Sequence, residues 1–184
     1  KIGKFGRRFF SMKNPIIKSM LIIIFGFLFL SQTSISAEKN LQKCKEFSSI
    51  GLHLPAIEQC QKAMKDGVNS EAELELLYYL ANSYSSINKN KLAKEAITKL
   101  LNASPSISAY DYYLAGLIEI KLNNNKEAIF YLEKAILGEP NSISIKRQLA
   151  RALFQSGDTR KANLILTGNF YEDSSDTQSM TQLS

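Results

Sequence analysis

Residues able to do covalent chemistry are few in this sequence. Glu71, Glu73 and Glu75 form the densest group of carboxylates, and paired carboxylates are what general acid–base hydrolysis requires. They open a helical stretch, however, where negative charge offsets the positive end of the helix dipole; a solvated face is the expected outcome. His53 is the only histidine, so no second imidazole can share a zinc ion with it. Cys44 and Cys60 stand too far apart for a C-x-x-C redox pair. An even count in an oxidising compartment allows one disulfide between them. No Gly-rich phosphate loop, nucleophile elbow, paired-His helix or calcium loop occurs. No catalytic residue, metal or cofactor is therefore expected, and the remaining chemistry is recognition. Tyr110, Tyr113 and Leu117 recur three to four residues apart, which puts them on one face of a helix.

The elements that would carry such a face follow from a repeat. Pro105 and Pro140 close two segments built alike: Leu77, Leu80-Ala81, Tyr84, Asn88, Ala93, Ile97 and Leu100 before the first, and Tyr112, Ala115-Gly116, Asn123, Ala128, Leu132 and Ala135 before the second. Self-similarity at this period marks a helical array. From Glu38 onward the apolar spacing is helical at nearly every window, with breaks at short runs of turn residues. The pattern predicts helices over about 39–50 and 54–66, 71–86 and 90–103, 107–122 and 125–138, and 142–156 and 159–167. The polar residues after 168 carry no apolar period, and 169–184 is expected to be a mobile tail. The fold class expected is all-α, about four antiparallel helix pairs. On the paired-helix reading, Cys44 and Cys60 face each other across the first pair, close enough for a bridge.

The stretch Asn124-Lys126-Glu127-Ala128-Ile129 through Tyr131-Leu132-Glu133-Lys134-Ala135 to Pro140-Asn141 resembles the second half of the tetratricopeptide repeat. Small residues where paired helices cross, here Ala81 with Ala93 and Gly116 with Ala128 and Ala135, allow close interaxial approach. The resemblance implies a right-handed superhelical array, with repeats over 70–105 and 106–140, a degenerate first unit over 38–69 and a truncated one over 141–168. It also implies a concave face lined by the first helix of each pair. Carried over position by position, that face holds Tyr78 and Asn82, then Tyr110, Tyr113, Leu117 and Lys121, then Arg147, Arg151 and Phe154. Such a face suits a protein or peptide with an apolar anchor and nearby carboxylates. Tyr113→Ala and Arg151→Glu are expected to weaken binding while leaving the fold and its melting unchanged. The alternative is a secreted or surface protein that binds cell-wall glycan, its tyrosines stacking on the sugars, or a host factor.

Charge and the N-terminal segment bear on location. Six of the 23 basic residues and none of the 17 acidic ones precede Glu38, so the rest of the chain is balanced. Without a basic excess there is no electrostatic footprint for nucleic acid. The basic stretch to Lys18, the apolar run over 20–30 and the small residues up to Ala37 follow the order of a secretory signal peptide. The apolar run would rise only about 16 Å as a helix, roughly half of a ~30 Å hydrocarbon core. Residues 1–37 are thus expected to be removed after Ser36 or Ala37, giving a periplasmic or secreted protein that meets the membrane only during export. An uncleaved signal anchor is the alternative.

Overall fold

The computed structural model describes residues 35–167, and every regular element among them is an α-helix. Residues 1–34, most of the stretch expected to be a signal peptide, and residues 168–184, which include the expected tail, lie outside the described residues. Eight helices follow in chain order: α1 over 35–49, α2 His53–Asp66, α3 Ser70–Ser86, α4 Asn90–Ala103, α5 Ala109–Lys121, α6 Asn125–Gly138, α7 Ile143–Ser156 and α8 Thr159–Thr167. Each packs on the next from α2 onward, and α3 also touches α5, as α5 touches α7. The odd-numbered helices therefore form an inner row and the even-numbered ones an outer row. The result is a right-handed superhelical array of four antiparallel pairs.

The turn inside each pair is built the same way four times. Gly51, Asn88, Asn123 and Gly157 have positive φ, at 77°, 59°, 60° and 93°. Gly adopts this region without a Cβ clash, and Asn is among the side chains that tolerate it best. Around each, the residue after the left-handed one donates its N–H to a carbonyl five back: Leu52 to Phe47, Lys89 to Tyr84, Asn124 to Glu119 and Asp158 to Leu153, at 2.8–2.9 Å. This is the Schellman closure, which satisfies carbonyls that a helix end would leave orphaned. It needs only a Gly or Asn, so four dissimilar sequences give one turn.

Helices α3, α5 and α7 of the inner row start on side-chain caps. Asn69 accepts from Ala72 N at 2.8 Å. Ser108 and Asp111 form a reciprocal capping box, which starts α5 at Ala109 rather than at 107 as the apolar spacing predicts. Ser142 caps α7. Pro105 follows the end of α4 and Pro140 the end of α6, where a ring without an N–H terminates the helix.

The N-terminal boundary differs from expectation. Helix α1 begins at residue 35 rather than at about 39, and so takes in residues 35–37, which composition assigns to the end of the leader. Ala37 is 2% exposed, and Ser36 Oγ and Asn40 Nδ2 both donate to Asp66 Oδ2, at 2.8 and 2.9 Å. Residues 36 and 37 thus contact the end of α2 and the turn after it.

The core runs between the two rows. One cluster joins Cys44, Leu76, Ala81, Ala93 and Ile118, and a second joins Leu132, Leu149, Ala152 and Ile165. Gly116 shows how closely the rows approach. A Cβ there would fall 2.6 Å from Cγ and 2.8 Å from Cδ2 of Leu132, a side chain with no exposure. Gly116→Ala is expected to destabilise by about 1 kcal/mol, overpacking of roughly 1–3 kcal/mol being partly offset by alanine's helix propensity. Equilibrium denaturation checks it; a more stable variant would mean that Leu132 has room to turn.

Tyr112 occupies the aromatic position of its repeat. Its ring stacks on Tyr131 of α6 with centroids 6.4 Å apart, and Lys134 Nζ lies 5.2 Å from its centroid and 4.5 Å from that of Phe130. The two helices of the third pair are held by this stack as well as by the Gly116 crossing.

Candidate partner-binding groove

The inner row presents the surface on which the groove residues fall, but they divide by what already holds them. Tyr110 is 61% exposed and Phe154 65% exposed. Arg147 and Arg151 are exposed on α7, with no ion pair or hydrogen bond to another described residue. These four, on adjacent inner helices, are free to meet a ligand.

Three others are committed to the fold. Asn82 Nδ2 reaches Ser48 Oγ of α1 at 3.4 Å, and Ser48 Oγ shares a buried hydrogen bond of 3.3 Å with Ser83. Lys121 Nζ donates to the Ser85 carbonyl at 2.6 Å, near the end of α3. A cation at a helix C-terminus meets the negative end of the dipole, so this lysine stitches the third pair to the second. Tyr113 packs against the second core cluster. Its truncation would therefore open packing, and the expectation that Tyr113→Ala leaves melting unchanged is replaced: Tyr110 is the clean probe. Leu117 is half-buried on the same face.

Tyr78 of α3 packs against the first core cluster and also lines an open depression at the surface. Its ring meets Tyr79 edge-on, with centroids 5.6 Å apart. Burial, and then the charge of Asp111 with the Tyr79 and Tyr110 phenols, pushes the Tyr78 phenol above its ordinary 10.0. Asp111 at the start of α5 lines the same surface depression as Tyr78 and Tyr79. At neutral pH the Tyr78 phenol keeps its proton and can donate.

Elsewhere on the inner surface, Lys45 Nζ of α1 meets Glu75 Oε1 of α3 at 2.5 Å, a contact that the sequence reading missed. Glu119 of α5 was also missed. It is 3% exposed and is held by Lys94 Nζ at 2.9 Å and by Asn124 Nδ2 at 2.7 Å. An acid set inside the apolar run from Leu114 to Ile120 is the signal that could have found it. Cys44 and Cys60 are joined by a disulfide with Cα atoms 5.1 Å apart, linking α1 to α2. Among the described residues no group of three His, Cys, Asp or Glu could hold a metal ion, and no helix is long and apolar enough to cross a membrane.

Residues 112–141 match the family described as Tetratricopeptide repeat. Among solved structures, the chain is similar to residues 41 to the end of MamA from Desulfovibrio magneticus RS-1, at 22% identity and TM-score 0.65 over 76% of each chain. It is also similar to YrrB, described as a TPR protein with an unusual peptide-binding site, at 23% identity and TM-score 0.62 over 73% of this chain and 68% of that one. No curated protein matches. The tetratricopeptide match covers the third pair, whose Tyr112–Tyr131 stack and Gly116 crossing are described above, and the other pairs repeat its turn. The described chain is an all-α superhelical array with the tetratricopeptide-repeat fold.

Proposed function

We propose that this protein is an exported scaffold that binds a segment of another protein along its inner surface and supports assembly of envelope or secretion machinery. One observation carries the binding part: Tyr110, Phe154, Arg147 and Arg151 are exposed on adjacent inner helices. Aromatic and arginine side chains are the usual energetic centres of interfaces, and curved arrays offer extended concave surfaces to partners. The peptide-binding site named for YrrB, a protein of like fold, agrees with this reading. Export is supported by the order of the N-terminal segment and by a disulfide between residues of the first pair, a bond that persists in oxidising compartments.

Tyr110→Ala and Arg151→Glu are expected each to weaken partner binding about tenfold or more. Because both side chains are exposed, melting should move little. Calorimetric titration with the natural partner, beside thermal melts of each variant, provides the test. Wild-type affinity in both variants rules out the inner surface and directs attention to the outer helices.

Processing can be narrowed further. Cleavage after Ala37 would remove a buried side chain from beside Gly67 and Val68, whereas cleavage after Ser36 keeps it. The mature chain is therefore expected to begin at Ala37. Intact-mass analysis of the exported protein decides: a start at Glu38 contradicts the packing reading, and retention of residues 20–30 identifies a signal anchor.

A further inference from the structure

The inner surface is not uniform in charge along the array. Between α3, the end of α4 and the start of α5 lies an open depression of about 310 Å³, lined among others by Glu75, Tyr78, Tyr79, Leu100 and Asp111. Its walls are two tyrosine rings set edge-on, and its charged groups are carboxylates. Both hydrogen bonds that Asp111 makes in its capping box fall on Oδ2, so Oδ1 has no partner among the described residues. Glu75 is met from the α1 side by Lys45, and its side chain is 41% exposed. Two helices along the inner row, the charge reverses. Arg147 and Arg151 stand exposed on α7 without an acidic partner among the described residues, beside the exposed Phe154. Tyr110, Tyr113 and Leu117 lie between the two ends on α5. A surface that is aromatic and acidic at one end, apolar in the middle and basic at the other is matched by a segment of the opposite order.

We propose that the groove recognises a dipolar segment of a partner protein, with a Lys or Arg side chain seated between Tyr78, Tyr79 and Asp111, an apolar anchor over α5, and an Asp or Glu at Arg147 and Arg151. This deepens the concave-face reading and rests on it. A cation in the depression meets two tyrosine rings and the free Oδ1 of Asp111, with Glu75, whose charge Lys45 already shares, as a weaker second carboxylate. Packed helices lie roughly 8–10 Å apart, so α3 and α7 are about 16–20 Å apart along the row. An extended chain rises about 3.3 Å per residue, which separates the basic and acidic residues of the ligand by about five or six positions. Like charges at either end are repelled, so the same groups that attract this order reject its charge-reversed version.

The test uses short, terminally blocked peptides carrying Lys at one end, a Leu pair in the centre and Asp at the other, at that spacing. Variants of the same peptide have Lys replaced by Gln, Lys replaced by Glu so that both ends are acidic, or Asp replaced by Arg so that both ends are basic. Binding is followed by amide chemical shifts of the full mature chain. Glu75→Gln with Asp111→Asn removes the charge while Asn at 111 still accepts at the cap. This double variant is expected to bind the Lys peptide about five- to tenfold more weakly and the Gln peptide as the wild type does. A nitroxide beside the Lys should broaden the Tyr78 and Tyr79 resonances much more strongly than that of Phe154. If Arg151→Glu weakens the Lys peptide but the double variant does not, the cationic subsite is wrong and the groove stands. If neither variant changes binding, or the Lys peptide shows no binding at millimolar concentration, both fall. Equal affinity for the doubly acidic and dipolar peptides also overturns the proposal.

Discussion

Loss of the Cys44–Cys60 bridge should lower stability by about 3 kcal/mol, the chain-entropy value for a closed loop of this size. The bridge ties α1 to α2 with Cα atoms 5.1 Å apart, and both cysteines have no exposure. Its position magnifies the consequence. In a linear array each unit is held by its neighbours, and the first pair has a neighbour on one side only among the described residues. Besides the bridge and the packing of Leu41 against the core, α1 is tied by Ser48 to Ser83 and Asn82, by Lys45 to Glu75, and by Ser36 and Asn40 to Asp66. Reduced protein is therefore expected to lose hydrogen-exchange protection over 39–66 well before it does so over 109–153. Urea denaturation of oxidised protein, reduced protein and the Cys44→Ala/Cys60→Ala variant measures the effect. Three coincident curves would show that the bridge contributes nothing to the folded state.

The second large effect concerns the buried acid between the second and third pairs. Glu119 has a side chain 4% exposed, while that of Lys94 is 44% exposed. The two partners should therefore respond differently to removal. Lys94→Met leaves a buried carboxylate with Asn124 alone. Breaking a fully buried pair costs about 3–5 kcal/mol; because water reaches the lysine side, about 2 kcal/mol is expected here. Glu119→Gln keeps an acceptor for Asn124 and returns Lys94 to solvent, so about 1 kcal/mol is expected. The hydrogen bond to Glu119 is the main cause that raises the Lys94 ammonium above its ordinary 10.5. A raised folded-state value means that the contribution is fully present below about pH 10.5 and lost as pH rises through the folded value. Denaturation midpoints of the two variants at neutral and alkaline pH check the order. A costlier Glu119→Gln than Lys94→Met would contradict the asymmetry.

Much of the array was legible because its determinants are local. Asn88, Asn123, Gly51 and Gly157 announce turns by backbone preference alone, and Ala81, Ala93 and Gly116 announce crossings by size. Helix ends set by side-chain caps, such as that of Ser108 with Asp111, moved by a residue or two from the apolar periodicity. What escaped the sequence was tertiary. Glu119 has its ion-pair partner 25 residues away, and nothing near it in sequence names Lys94. Residues 35–37 read as leader by composition, yet Ala37 is buried and lines one depression with the distant Gly67 and Val68. Lys121 sits on an inner-row helix, but its long side chain goes where its neighbours offer an acceptor, here the Ser85 carbonyl. Tyr113 shares the helix face of Tyr110, yet packing against the second core cluster makes it partly a core residue.

The most direct test of the account is where a partner touches the array in the cell. A photo-crosslinking residue placed at Arg147 or Tyr110 reports on the inner row, and one at Lys126 or Leu92 reports on the outer row. All four positions are exposed, so substitution leaves the fold intact. The account predicts that one and the same protein crosslinks to Arg147 and Tyr110, is lost from both when Arg151 is replaced by Glu, and is absent from Lys126 and Leu92. Crosslinks confined to Lys126 and Leu92 would contradict it.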